Sequence, residues 1–295
     1  MKFRFHLYSL LCASFVFFSF GTCKTQKQAA PRSEKHSLPY DLSNPNLTIR
    51  LSNEELTEIS GLSPSDQNDI YLAIADEKGE IYFLNAEKGG AIQKRVLFLE
   101  KGDFEGVEMA GQTLWAVKSN GTLYEIKDWA NKPAPSITEH KTSLNKLDDV
   151  EGLGLDLDKN ALLLACKGNP DSSYLRNVYA FDLKSKLLSR QPVYAVDPLE
   201  INQLVPYLES EKPDFFSPSG IAMHPVSKDV YIISSALKRL VVLDGKTGKI
   251  REAVRLDKKI LPQPEGISFD KTGNLFISSE GKNGAGLLLK FDYHK

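Results

Sequence analysis

The most regular feature of the chain is a short polar–apolar alternation that returns every forty-odd residues. At Asp149-Val150-Glu151-Gly152-Leu153 two carboxylates flank a valine, and a glycine and an apolar residue follow. The same order stands at Asp103-Phe104-Glu105-Gly106-Val107 and Gln263-Pro264-Glu265-Gly266-Ile267. Looser copies are Glu58-Ile59-Ser60-Gly61-Leu62 and Ser217-Pro218-Ser219-Gly220-Ile221. Residues two apart on a strand point the same way, so the polar pair shares one face and the apolar residue between them takes the other. The glycines at 61, 106, 152, 220 and 266 are separated by 45, 46, 68 and 46 residues. A period in the forties filled with strand-like segments is the pattern of a β-propeller.

Each period divides into four strand-sized pieces. The first is the glycine motif with the apolar residues after it. The second is a β-rich run, at 70–75, 113–117, 161–166, 230–234 and 275–278. The third lies at 81–84, 123–126, 178–181, 240–243 and 287–291, and four of these five end directly in Asn85, Asp182, Asp244 or Asp292, residues that open hairpin turns. The fourth falls at 93–99, 137–142, 187–196 and 250–256. The fifth period has no fourth piece, whereas an orphan strand, 47–51, precedes the first. Pairing the two removes the open sheet edge. The expectation is an all-β chain forming a single β-propeller of five blades closed by the N-terminal strand 47–51. Six blades is the alternative if the long third interval hides a degenerate one. We assign its extra residues to the loop 168–176 and to 199–216. In the latter, Ile201, Leu204, Val205 and Leu208 have helical spacing and predict a short helix capping one face of the ring.

The first 23 residues are different. Lys2 and Arg4 give a basic start, 7–20 is apolar or small, and Gly21-Thr22 precede Cys23. This is the layout of a secretory signal peptide, and it also resembles a bacterial lipoprotein signal in which the cysteine is lipidated, although Phe20 stands where leucine is usual. An ordinary signal peptide with an incidental Cys23 is the alternative. Residues 24–45 are polar and carry Pro31, Pro39 and Pro45, which reads as a flexible tether before a propeller domain at 46–295. An exported, monomeric protein of the bacterial cell envelope is expected, lipid-anchored to membrane and facing the periplasm or the surface. Net charge is −1, without a Lys/Arg run, which argues against a nucleic-acid partner. Of three cysteines only Cys166 lies in the repeats, so no internal disulfide framework exists there.

Aligned on glycine, the first motif position reads Glu58, Asp103, Asp149, Ser217, Gln263 and the second Ser60, Glu105, Glu151, Ser219, Glu265. If these strands line the axis, Glu58, Asp103, Glu105, Asp149, Glu151 and Glu265 converge on a narrow channel. Crowded carboxylates raise one another's pKa, and protonation, a nearby lysine or a bound cation relieves that. Oxygen-only donors suit a hard ion, Ca²⁺ better than Mg²⁺ in a flexible ring, and no His/Cys cluster suggests zinc. The competing reading is structural, with the acids satisfied by neighbouring amides and by Lys118 and Lys167. No catalytic residue is assigned. Ser217-Pro218-Ser219-Gly220 lacks the first glycine of a nucleophile elbow. His224 has no partner in sequence and reads as structural. Asp156–Asn160 reads as a plain turn, Gly281–Gly286 as a hairpin loop, and Tyr71 and Trp115 as core between blades.

The serial motifs, with Gly220-Ile221-Ala222-Met223-His224-Pro225 and Pro264-Glu265-Gly266-Ile267-Ser268, resemble the SdiA-regulated (YjiK/CarP-like) family of bacterial envelope β-propellers over about residues 46–295. The resemblance implies a periplasm-facing propeller associated with calcium and without an established reaction. Its inner-strand acids match Glu58, Glu105, Glu151 and Glu265, while Ser60 and Ser219 stand where glutamate could and leave the ring incomplete. More distantly the family resembles phytase-type propellers, which hydrolyse phosphate esters with channel-bound calcium. Three functions remain open: a binding module with an axial calcium site for an unknown small ligand or envelope protein, a calcium-dependent phosphoesterase or lactonase, and a metal-free scaffold.

Overall fold

The structure is a computed structural model that describes residues 38–131, 134–171, 173–212, 216–281 and 284–294. The expected signal segment, Cys23 and most of the tether lie outside the described residues.

Five antiparallel sheets form the blades, each running from an inner to an outer strand. Blade one holds β2 (Ile59–Pro64), β3 (Ile70–Ala75), β4 (Lys78–Asn85) and β5 (Ala91–Leu99). Blade two holds β6 (Phe104–Ala110), β7 (Thr113–Lys118), β8 (Leu123–Lys127) and β9 (Ser136–His140). Blade three holds β10 (Val150–Asp156), β11 (Ala161–Cys166) and β12 (Arg176–Asp182), edged by the short β13 (Leu187–Leu188) and β14 (Tyr194–Val196). Blade four holds β15 (Gly220–Met223), β16 (Val230–Ser234), β17 (Arg239–Leu243) and β18 (Ile250–Arg255). Blade five holds β19 (Gln263–Phe269), β20 (Leu275–Glu280) and β21 (Gly286–Phe291). Its fourth strand is the N-terminal β1 (Leu47–Leu51), which pairs with β21 from Leu47 opposite Lys290 to Leu51 opposite Gly286. The inner strands touch in the order β2, β6, β10, β15, β19 and back to β2. The ring therefore has five blades closed by the N-terminal strand.

The motif glycines are what let the inner strands approach. A Cβ on Gly61 would lie 2.9 Å from the Gly106 Cα, one on Gly106 would lie 2.5 Å from the Leu153 Cβ, and one on Gly266 would lie 2.6 Å from the Leu62 Cβ. Each glycine thus seats the next blade's strand, and the fifth seats the first. Outside this seam the blades are joined by apolar side chains. Tyr71 lies 4.2 Å from Phe276 between ring centres, and Trp115 meets Phe181 of the next blade. Both Tyr71 and Trp115 are buried, as inter-blade core residues should be. Middle strands such as β11 and β16 are buried along their whole length, which explains their unbroken apolar runs.

Three expectations need correction. The outer strand of blade three is broken into β13 and β14, because Pro192 lies between them and cannot donate to a ladder. The predicted helix exists as α1 (Pro198–Leu204), capped by the Asp197 carboxylate accepting from the Leu199 N–H. It buries Ile201, packs against β18 and joins the apolar cluster shared by blades three and four, rather than lying across the axial opening; Leu204 and Leu208 are exposed. The segment after α1 is pinned by Glu211, which accepts from Arg239 at 2.8 Å and Arg255 at 2.7 Å. Finally, packing begins before residue 46. Tyr40 is buried, its hydroxyl donates to the Gly273 carbonyl at 2.7 Å, and its ring packs on His224, Tyr231, Phe269 and Tyr293.

Candidate binding site at the axial channel

The glycine motifs start the inner strands, so their polar positions sit at one mouth of the axial channel. Ser60, Glu105, Glu151, Ser219 and Glu265 line a single constriction together with the motif glycines. A β-bulge accounts for the aim of these side chains. In the ladder Ile59 opposes Ala75 and Gly61 opposes Ile74, so Ser60 is the extra residue; Glu105 and Glu151 are extra in the same way. In blade five Glu265 and Gly266 share the place opposite Ser278, whose hydroxyl accepts from the Gly266 N–H at 2.9 Å. A bulge re-aims a side chain without ending the strand. Here it frees the carboxylates from the ladder and turns them toward the axis. Blade four lacks the bulge, since β15 begins at Gly220.

The three glutamates are half-buried and carry shifted pKa values. Burial, reinforced by the charges of Glu151, Asp103 and Asp76, pushes Glu105 up to about 9, with Lys167 opposing. Burial likewise pushes Glu265 up to about 8, with Glu280 and Glu151 adding to it and a hydrogen bond from Ser235 opposing it. Burial raises Glu151 as well, although Lys167 donates to its Oε1 at 2.8 Å. Two hydroxyls complete the constriction: Ser219 donates to the Pro264 carbonyl at 2.7 Å, and Ser60 to the Glu58 carbonyl at 3.4 Å.

The remaining sequence candidates stand one step outward. Asp149 lies 3.8 Å from the Lys167 Nζ and has φ 50°, a left-handed conformation that aspartate tolerates better than most residues. Asp103 accepts from the Ser119 hydroxyl. Glu58 is exposed and close enough to raise the pKa of Glu280, after the larger effect of burial. Two acids that sequence reasoning missed, Asp76 and Glu280, join this outer tier. Asp76 directly follows β3 and Glu280 ends β20, opposite Gln263. Both have raised pKa values, chiefly through burial. The signal was available in register: they are the second-strand residues facing the first motif position.

Lys118 does not neutralise the ring. It is paired in the ladder with Phe104, and its ammonium lies over the Phe104 and Tyr124 rings at 5.1 and 5.4 Å. Lys118 is therefore the counterpart of Cys166, which pairs with Val150, and not of Lys167 one residue further on. His224 is buried among aromatic rings and its Nδ1 accepts from the Ser227 N–H at 2.9 Å, which fixes the turn after β15. Among the described residues no three acidic, histidine or cysteine side chains are arranged closely enough, as they stand, to hold a metal ion. The donor chemistry at the mouth, carboxylates and hydroxyls without histidine or thiolate, is that of a hard-cation site.

The SdiA-regulated family profile matches residues 42–283. The chain belongs to the SdiA-regulated family. The match runs from the segment before β1 through β20, so this SdiA-regulated protein carries the family's sequence pattern over blades one to four and the first two strands of blade five. No curated protein matches it. Among solved structures, the PQQ-bound aldose sugar dehydrogenase from Streptomyces coelicolor is similar at 13% identity and a TM-score of 0.51, over 84% of this chain and 97% of that one. A streptogramin B lyase is similar at 15% identity and a TM-score of 0.45, over 79% of this chain and 65% of that one. A luciferin-regenerating enzyme is similar at 10% identity and a TM-score of 0.49, over 84% and 95%. At these identities the likeness extends to fold alone. Among the described residues no helix is long and apolar enough to cross a membrane.

Proposed function

We propose that this protein is a cell-envelope binding module whose acidic axial mouth takes a divalent cation, calcium being best suited. The observation that carries this reading is the convergence of Glu105, Glu151 and Glu265 on one constriction. Around them Glu58, Asp76, Asp103, Asp149 and Glu280 add further acids, against Lys167 and the more distant Lys238. Such a mouth holds its own protons when nothing else neutralises it, and a cation replaces those protons. Oxygen donors on several blades favour an ion that accepts irregular coordination at high number, which is calcium rather than magnesium.

Anchoring belongs to the same reading. A basic, apolar, then Cys23-containing start supports export and lipidation, with the propeller held at the membrane. Labelled palmitate should enter the protein and fail to enter a Cys23→Ala variant. For the ion, calcium should raise the melting temperature of the purified protein, and the double substitution Glu105→Gln with Glu151→Gln should abolish the rise. No rise at millimolar calcium would remove the metal from this reading. The same preparation, offered phosphate esters and lactones, is expected to turn over neither; turnover lost on chelation would recast the site as an enzyme.

A further inference from the structure

The channel has a second end. Two residues past each motif glycine the five strands present Ser63, Glu108, Gly154, Ala222 and Ser268. Beyond them a cavity of about 360 Å³ opens, walled by all five blades at the turns between first and second strands. Its walls are mostly apolar, with Met109, Leu155, Met223 and Phe269 among them. That volume suits a small organic molecule rather than an ion. The small residues Ala222 and Ser268 line it from two of the blades, whereas Glu108 lines it from a third.

Glu108 is the anomaly of this chamber. It is only 5% exposed, yet among the described residues its carboxyl has no lysine, arginine or histidine partner. Among the described residues it accepts from the Ser63 hydroxyl at 2.7 Å and the Met109 N–H at 3.3 Å, both on Oε2. The nearest lysines in the rim are engaged elsewhere. Lys228 pairs with Asp158 at 3.0 Å, and Lys271 donates to the Asp66 carbonyl at 3.2 Å. A second polar group lies in the same wall: Ser268 is one of the lining residues, and its buried hydroxyl has no hydrogen-bond partner among the described residues. Burying a carboxyl without a cation and a hydroxyl without a partner is costly. Apolar residues would fill both places more stably. The groups make sense as the two polar contacts of a ligand whose remainder is apolar.

We propose that this cavity binds a small primary ammonium compound with an apolar body, its charged head pairing with Glu108 Oε1 and donating to the Ser268 hydroxyl. An ammonium carries three donors and no acceptor, which matches a carboxylate oxygen and a hydroxyl acceptor and supplies the charge that Glu108 lacks. The rim is balanced in sign, with Asp66 and Asp270 standing beside Lys228 and Lys271, so the selection for a cation falls to Glu108. The inference is independent of a cation at the opposite mouth. A coupled readout follows from the chemistry. Burial pushes Glu108 up to about 8, so at neutral pH it is largely protonated, and seating an ammonium beside it must expel that proton.

The test is isothermal titration of the purified protein with benzylammonium, benzyl alcohol and phenylacetate near pH 7, with chelator present. Benzylammonium should bind with a dissociation constant of roughly 0.1–1 mM, and the alcohol and the anion at least tenfold more weakly. Titrations in two buffers of different ionisation enthalpy should report about one proton released per amine bound. Glu108→Gln should weaken the amine at least tenfold and abolish the proton release. Ala222→Leu, which fills the chamber from another blade and leaves Glu108 intact, should also abolish binding. Equal affinity for the alcohol, unchanged affinity in either variant, or no binding of benzylammonium would overturn the proposal. So would loss of binding in the Glu105→Gln, Glu151→Gln double variant, which would put the amine at the other mouth.

Discussion

Replacing Glu265 with glutamine should stabilise this protein, and the gain should grow with pH. Free glutamate titrates at 4.5, and burial with the neighbouring charges of Glu280 and Glu151 pushes Glu265 up to about 8. Between those values the unfolded chain has lost this proton and the native state still holds it. Native stability therefore falls as pH rises through the window, by about 1.36 kcal/mol per unit. At pH 7 the fall has run for 2.5 units from 4.5, about 3 kcal/mol for this site. Glutamine has nearly the same shape and no proton to lose, so Glu265→Gln escapes the fall. Other groups that titrate in the window, such as His224, are common to both proteins and cancel in the difference. Urea unfolding in chelator should give near-equal stability around pH 5 and a variant more stable by about 3 kcal/mol near pH 7, roughly 2–4 °C of melting temperature per kcal/mol for a domain of this size. Saturating calcium should reverse the order, because only the wild type regains the lost energy through the bound ion. A variant that is less stable than wild type in chelator at every pH, by a constant amount, would show that Glu265 is not held neutral and would refute the reasoning.

Three further outcomes are expected. Lys167→Met removes the ammonium that pairs with Glu151 and Asp149 and should tighten calcium binding about tenfold by calorimetry, since the lysine and the ion compete for one charge. Glu211→Gln leaves the fully buried Arg239 without its carboxylate and should cost about 3 kcal/mol in urea unfolding, with faster protease cleavage within 199–216. Burial pushes the Glu211 carboxyl up, but the hydrogen bonds from Arg255 and the Leu208 N–H and the Arg239 charge outweigh it and hold the group below the ordinary 4.5, so this contribution is present above that pH and is lost as pH falls below it. Removal of residues through Leu51 exposes the β21 edge and should turn a single cooperative unfolding transition into aggregation, followed by light scattering on refolding.

The ring was legible in the sequence because its glycines do a job no other residue can do. Each one lets two inner strands approach, so the same letter had to stand at the same step five times. The acids beside them were legible for the same reason, being fixed in register to the glycine. Asp76 and Glu280 face the first motif position from the second strands and are reached only through the ladder register, because the ends of those strands carry no shared letter. The rest lay outside that register. Lys118 looked equivalent to Lys167 by position along its strand, but a one-residue offset puts a side chain on the opposite face. Blade three's outer edge broke at Pro192, a local veto that the apolar residues on either side conceal. Tyr40 lies in a polar, proline-flanked stretch with no period, and its burial depends on partners from blades four and five. Glu108 stands two residues past the glycine, at the channel's other end, where no residue type is common to all five repeats.

The pairing of Leu47 with Lys290 sets an order of events during biosynthesis. The closing strand is the earliest to be synthesised and its partner the latest, so blades one to four can zip up from local hairpins while the circle stays open. Until β21 arrives, β1 has nowhere to bind, and the nascent protein is a chain of loosely stacked sheets with a free leading end. Closure of the ring is therefore the last step of folding, and it waits on the arrival of β21.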